Sequence, residues 1–313
     1  MLFVCFVFRV VLYCLFSSDK CYYPPFTHLL IYLQLLKVVN LSNLMKMQEF
    51  KSLLQKESLS KNTIQAYLCA VSQFLDFCSH HVSSKQVMAY KGMLINQYKP
   101  RTVNQRIQAV NKYLEYIGKP ELKQKFVRLQ QQNFLENVIS DADYQFLKSK
   151  LFSDGDENLA MAVWYMGATG ARISELLQIK AEHVQRGFID LLTKGGKIRR
   201  LYIPEHLVAQ SLSWLDRQHI SSGFIFLNQN GKRISARGLS KKLKCCARKY
   251  QLDPKVMHPH SFRHRFAKNF LDKYQDLALL ADLMGHESIE TTRIYLRRTA
   301  SEQQTLVNKI VDW

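Results

Sequence analysis

Four short stretches of this 313-residue sequence hold side chains that could handle a phosphate or a proton. In Thr169-Gly170-Ala171-Arg172-Ile173-Ser174-Glu175-Leu176, Arg172 and Glu175 stand three apart and share one face of a helix. Lys194 opens the turn Lys194-Gly195-Gly196-Lys197. In His258-Pro259-His260-Ser261-Phe262-Arg263-His264-Arg265-Phe266-Ala267, His260 and Arg263 repeat the spacing of three, so both can face one phosphate. His286 closes Leu283-Met284-Gly285-His286, and Tyr295 follows nine residues later in Thr291-Thr292-Arg293-Ile294-Tyr295. The residue types suit phosphoryl chemistry. Guanidinium groups present planar forks that match phosphate oxygens. An imidazole or an ammonium can move a proton, and a phenol can attack as phenolate. Taken singly, each stretch has a plainer explanation: an ion pair at a helix start, a solvated turn lysine, a basic helix touching a polyanion, a tyrosine in a core.

The charge balance says what such groups would meet. Lys and Arg number 44 against 25 Asp and Glu, a formal +19. A surplus of this size repels itself, and a polyanionic partner is the usual reason for it. Nucleic acid is the expected partner, with an anionic membrane surface as the rival. Hydrophobic residues make up 47%, with only 12 Gly and 7 Pro, which excludes collagen-like, low-complexity and wholly disordered classes. The cysteines include the adjacent pair Cys245-Cys246 and no Cys-x-x-Cys, so a reducing cytoplasm is the expected compartment.

Residues 1–46 stand apart. Arg9, Lys20, Lys37 and Lys46 against Asp19 leave this segment at +3, so most of the charge belongs to the rest of the chain. Met1 to Phe16 is almost wholly apolar but carries Arg9 inside the run, lacks a charged start and is short for a membrane span. An export signal is not expected. The expectation is an apolar extension upstream of a true start at Met45 or Met47.

The remainder reads as two domains. Over residues 47–118 the pattern is helical, with Ile64, Leu68, Val71, Leu75 and Cys78 on one face and Val103, Ile107, Val110 and Leu114 on another. Ser60 precedes the first of these stripes, Ser83 or Ser84 suits the cap of the next helix, Pro100 a first turn and Gly118 a stop. Residues 119–140 read as a linker with a partial helix. From 141 to 313 the pattern is helical again, interrupted by two hairpin signals. One pairs Phe188–Thr193 with Ile198–Ile203; the other pairs Phe224–Leu227 with Lys232–Ile234 around Asn228-Gln229-Asn230-Gly231.

Together and in this order, the four stretches resemble the tyrosine recombinase (phage integrase) family, over residues 48–313. The resemblance implies a mostly α fold with a small β-sheet in the catalytic domain, preceded by a SAM-like core-binding helical bundle. It implies a site-specific recombinase that cuts and rejoins duplex DNA through a covalent 3′-phosphotyrosine. On that pattern Tyr295 is the nucleophile, Arg172 and Arg263 clamp the scissile phosphate, and His286 adds a hydrogen bond. His260 accepts the phenolic proton, Lys194 protonates the leaving 5′-oxygen, and Glu175 orients the site. Lys197 competes with Lys194, and the family pattern favours the lysine before the glycines. No metal or cofactor is expected. A homotetramer on two synapsed sites is implied, with the C-terminal helix 301–311 docking on a neighbouring subunit. The biological role, whether integration, excision, inversion or dimer resolution of the Xer-like kind, is open. The alternative is a non-catalytic DNA-binding protein on the same fold, which would need a gap among the catalytic positions.

Overall fold

The structure is a computed structural model that describes residues 45–79, 82–129, 136–192, 198–286, 288–297 and 300–310. The apolar extension therefore lies, up to residue 44, outside the described residues. Among the described residues no helix is long and apolar enough to cross a membrane. The chain divides into two compact units between residues 130 and 131.

Among the described residues the first unit is a bundle of four α-helices. Residues 45–56 form α1. Helix α2, Lys61–Phe77, is started by Ser60, whose hydroxyl accepts from the Thr63 N–H at 3.1 Å. Helices α3, Ser84–Gln97, and α4, Pro100–Tyr116, follow; Pro100 opens α4, where a missing N–H costs nothing. The apolar stripes meet as predicted, with Phe50 and Leu54 of α1 packed among Val71, Phe74, Leu94, Ile107 and Leu114. In α2 the buried position is Tyr67, while Leu68 is only half-buried.

Part of the expected linker is built into this unit. Asn104 and Asn111 lie two turns apart on α4, and their amides act as backbone surrogates. Asn111 pairs with both backbone groups of Gln124, at 2.8 and 2.9 Å. Asn104 pairs with both of Val127, at 2.7 and 2.8 Å. The segment 123–129 is thus zipped along the helix, because two amides satisfy polar backbone that a free linker leaves to water.

The second unit is built around α6, Glu157–Thr169, which is buried from Leu159 through Val163 and again at Tyr165, Met166 and Gly167. A helix apolar on nearly every side must lie inside a core. Around it lie α5 (Asp141–Ser153), α9 (Glu205–Arg217), α10 (Ala236–Lys249) and α11 (Pro259–Tyr274). Short helices α7 (Ile173–Leu176) and α8 (Ala181–Arg186) lead to one antiparallel pair, β1 (Phe188–Leu192) and β2 (Ile198–Tyr202), in register Phe188↔Tyr202 and Leu192↔Ile198. The second expected hairpin is reduced to a bridge, Leu227↔Arg233. Its flanks are too short for a ladder, and Phe224 bridges to Lys180 instead. The chain closes with α12 (Leu277–Met284), α13 (Ile289–Arg293), a 3₁₀ turn at Ile294–Leu296 and α14 (Ala300–Ile310).

Candidate active site

The site is assembled where helix ends converge. Helix α6 stops at Gly170, which takes φ +61°. A Cβ there would stand 2.4 Å from the Phe266 ring, so glycine is required twice over. The turn presents the Gly170 carbonyl, which accepts from Nη1 of Arg263 at 2.6 Å. Two residues on, Arg172 precedes the first turn of α7. The Glu175 carboxylate accepts the Arg172 backbone N–H at 2.7 Å through Oε2 and its Nη1 at 2.7 Å through Oε1. The spacing of three read from the sequence is therefore a local clamp on the arginine.

Glu175 also receives Nη1 of Arg199 at 2.7 Å, while Nη1 of Arg263 lies 3.9 Å away. Burial alone would raise its pKa; the Arg199 charge and the hydrogen bonds from Arg172 and Arg199 hold it below the usual carboxylate value. One buried carboxylate thus faces three guanidiniums. Arg172 keeps 33% of its side chain exposed, whereas Arg263 keeps 4%, so Arg172 is the more open to an incoming anion.

Arg263 is set on the first turns of α11. His258 caps that helix by accepting from the Ser261 N–H, and the Ser261 hydroxyl accepts the Ile139 N–H at 2.8 Å. Nη2 of Arg263 donates to the Met284 carbonyl at 2.7 Å and meets Nε2 of His286 at 3.0 Å. Guanidinium only donates, so Nε2 of His286 is the acceptor and its hydrogen sits on Nδ1. Nδ1 in turn meets Oγ1 of buried Thr292 at 2.7 Å. Burial, then the charges of Arg263 and Arg172, push the His286 pKa down to about 4, in keeping with this neutral tautomer.

Tyr295 sits in the 3₁₀ turn after α13, only 6% exposed, and packs with Ala267, Leu271, Leu280 and Met284. Its ring stacks on His286, with centroids 6.3 Å apart and planes at 12°. Its hydroxyl lies 3.1 Å from Nδ1 of His264. Burial raises the phenol pKa, against the pull of Arg263 and Arg172. His260 stands one turn before His264, with ring centroids 6.3 Å apart, and its pKa falls through burial and the charges of Arg263 and Arg172.

Arg172, Glu175, Arg263, His286 and Tyr295 are thus linked through direct contacts, with His260 beside them. Lys194 lies outside the described residues, between the end of β1 and the start of β2 in sequence, where Leu192 and Ile198 are exposed.

The same assembly has relatives. A sequence model of the phage integrase family matches residues 141–302. The chain belongs to the phage integrase family. A model of that family's N-terminal SAM-like domain matches residues 47–124. Tyrosine recombinase XerA of Pyrococcus furiosus is 27% identical over 270 residues, covering 84% of this chain and 93% of the relative. Tyrosine recombinase XerC of Escherichia coli is 37% identical over 135 residues, 42% of this chain and 45% of the relative. Two solved structures share the fold. XerH recombinase bound to its difH substrate has a TM-score of 0.63 at 18% identity, covering 83% of this chain and 84% of that one. The Tn1549 transposon integrase in complex with transposon right-end DNA has a TM-score of 0.61 at 15% identity, covering 86% and 99%. As a tyrosine recombinase the chain is an enzyme of DNA strand breakage and rejoining.

Within this phage integrase site, sequence reading passed over Arg199, His264 and Thr292. Arg199 had a signal. Strand β2 alternates exposed and buried positions, and Arg199 shares the inward face with Leu201. A charge at an inward strand position marks a buried partner. Here Nε and Nη2 of Arg199 both donate to the Leu283 carbonyl, while Nη1 takes Glu175. His264 stands beside Arg263 and one turn after His260, so no spacing sets it apart from its neighbours in the sequence.

Proposed function

We propose that Tyr295 attacks a scissile phosphate held by Arg172 and Arg263, leaving the DNA 3′ end joined to the phenol oxygen. The observation that carries this reading is one chain of contacts: Glu175 holds Arg172 and lies beside Arg263, Arg263 meets His286, and the Tyr295 ring stacks on His286. Phosphodiester cleavage gathers negative charge on the phosphoryl oxygens, and preorganised positive donors supply most of the stabilisation. His260 faces the same phosphate from α11. Lys194, on the hairpin, protonates the departing 5′-oxygen. A 5′-hydroxyl from a second duplex then attacks the phosphotyrosine and releases Tyr295, so no outside energy source is consumed.

His286 enters this scheme with a condition. With Nε2 accepting from Arg263, it offers the phosphate no hydrogen there. An arriving dianionic transition state favours a protonated ring, which restores the donor.

The substrate is duplex DNA in two synapsed copies, worked on by a homotetramer in the cytoplasm. Val307 and Ile310 of α14 are exposed at 52% and 63%, which suits a helix that docks on a neighbouring subunit. The test is a suicide duplex, nicked so that the cleaved strand is lost, built on the site selected by the full chain from a random duplex pool. Tyr295→Phe is expected to abolish covalent protein–DNA adducts while duplex binding persists. Undiminished adduct yield would sink the assignment of Tyr295.

A further inference from the structure

We propose that His264 is a catalytic residue, whose Nδ1 accepts the hydrogen of the Tyr295 hydroxyl and so leaves the phenol oxygen's lone pairs free for the scissile phosphate. The proposal rests on the reading of Tyr295 as nucleophile. Its basis is geometric. Nδ1 of His264 is 3.1 Å from the hydroxyl, and the two rings sit 5.4 Å apart at 53°. His286, on the other hand, meets the tyrosine by ring stacking, while its own two nitrogens are engaged with Arg263 and Thr292. Of the two imidazoles packed on Tyr295, His264 is therefore the one placed to handle its hydrogen, in place of His260, the expected acceptor, whose ring lies one turn away against His264 at 6.3 Å.

The proposed direction, hydroxyl to Nδ1, takes the ring tautomer with its hydrogen on Nε2. Burial comes first, and His260, His258 and Arg263 on the same helix add to it, so the His264 pKa is pushed down to about 4. The ring is neutral near pH 7 and offers one bare nitrogen. Burial keeps the phenol protonated, so it has a hydrogen to give.

The step balances. The Oη–P bond forms as the P–O5′ bond breaks. The phenolic proton passes to Nδ1 of His264, and the leaving 5′-oxygen takes a proton from Lys194. A ring with so low a pKa is a poor store for a proton in the free enzyme. In the transition state the new positive charge appears beside the growing negative charge of the phosphoryl group, which offsets that cost. The low resting pKa thus guards against a charged ring that would repel Arg263 before DNA arrives.

The experiment uses the full chain and the selected suicide duplex, with adduct formation followed in a single turnover. His264→Leu is expected to slow it about tenfold or more with duplex affinity unchanged, the scale of losing one proton acceptor. Its log rate should also climb with pH between roughly 7 and 9, where the tyrosine must ionise unaided. His264→Asn keeps a hydrogen-bond acceptor near the Nδ1 position but cannot take up a proton, so it is expected to stay as slow as His264→Leu and to show the same rise with pH. A His264→Leu rate and pH profile matching the parent overturns the proposal. So does a His264→Asn protein with the parent's rate and pH profile, a comparison that holds even where the leucine protein fails to fold. Adducts persisting in Tyr295→Phe would remove the nucleophile itself. A dead Tyr295→Phe beside an unimpaired His264→Leu removes only the role of His264.

Discussion

Nη1 of Arg199 lies 2.7 Å from Oε2 of Glu175, and both side chains are at least nine-tenths buried. Arg199 also reaches the Leu283 carbonyl, so one side chain joins strand β2, helix α7 and the end of α12. Of these elements, α7 follows Arg172 directly and the end of α12 leads to His286. Breaking a buried ion pair by removing one partner leaves a charge without compensation, at about 3–5 kcal/mol. Arg199→Met is therefore expected to cost stability on that scale in urea unfolding. The paired change Arg199→Met with Glu175→Gln should cost less than the two singles added together. Additive losses would show that the pair is not coupled.

Gly285 and Gly92 make opposite predictions from one substitution. Gly285 takes φ +60°, and a Cβ there would lie 2.3 Å from Cδ of Arg199. Gly92 lies within α3 with open space around its missing Cβ. Gly285→Ala should destabilise by about 1–3 kcal/mol through left-handed strain and displacement of Arg199. Gly92→Ala should stabilise by roughly 0.5–1 kcal/mol through helix propensity. Thermal or urea unfolding of the two proteins side by side measures both signs.

The legibility of the sequence divides along the same line as these residues. Arg172 with Glu175 and His260 with Arg263 were readable because each pair is local and three residues apart, His260 and Arg263 on α11, Arg172 at the cap of α7 with Glu175 in its first turn. The bundle was readable because α2 and α4 carry clean apolar stripes. Arg199 was not picked out, since its partners Glu175 and Leu283 are distant in sequence and only the fold brings them together. The zipped segment 123–129 was hidden for a similar reason. Polar, helix-poor sequence looks like a linker until Asn104 and Asn111 are seen to satisfy its backbone. The second hairpin failed because a turn signal specifies a bend, whereas a ladder needs strands long enough to pair.

Stability should fall on mild acidification. His264 and His286 both have pKa values near 4 in the folded protein, below the ordinary 6.5. The unfolded chain therefore binds protons first as pH drops. The stability held in these neutral rings is complete above about pH 6.5 and is lost between there and about pH 4. Glu175, held below its ordinary 4.5, acts in the same direction at the lower end: its contribution is present above that value and is lost as pH falls through the folded pKa. Urea unfolding at pH 7 and pH 5 is expected to show a smaller difference for His286→Gln than for the parent. An unchanged difference would mean that His286 is not buried in its neutral form.

Helix α10 should carry a share of the duplex affinity. Arg237, Lys241, Lys244 and Arg248 are all exposed and recur at helical spacing, while Leu239, Leu243, Cys246 and Ala247 face the core. Such a stripe has no acidic residue within its own helix to neutralise it. Each phosphate contact releases counterions, so the slope of log affinity against log salt counts the contacts, at about 0.9 per phosphate. Lys241→Glu with Lys244→Glu is expected to weaken binding to a random-sequence duplex and to flatten that slope by about two contacts. Unfolding stability should change little, because both side chains are solvated. The same substitutions placed at Lys56 and Lys61 of the first unit, also exposed, provide the comparison. A salt slope unmoved by the α10 changes would take this helix out of the DNA interface and assign the charge surplus to other faces.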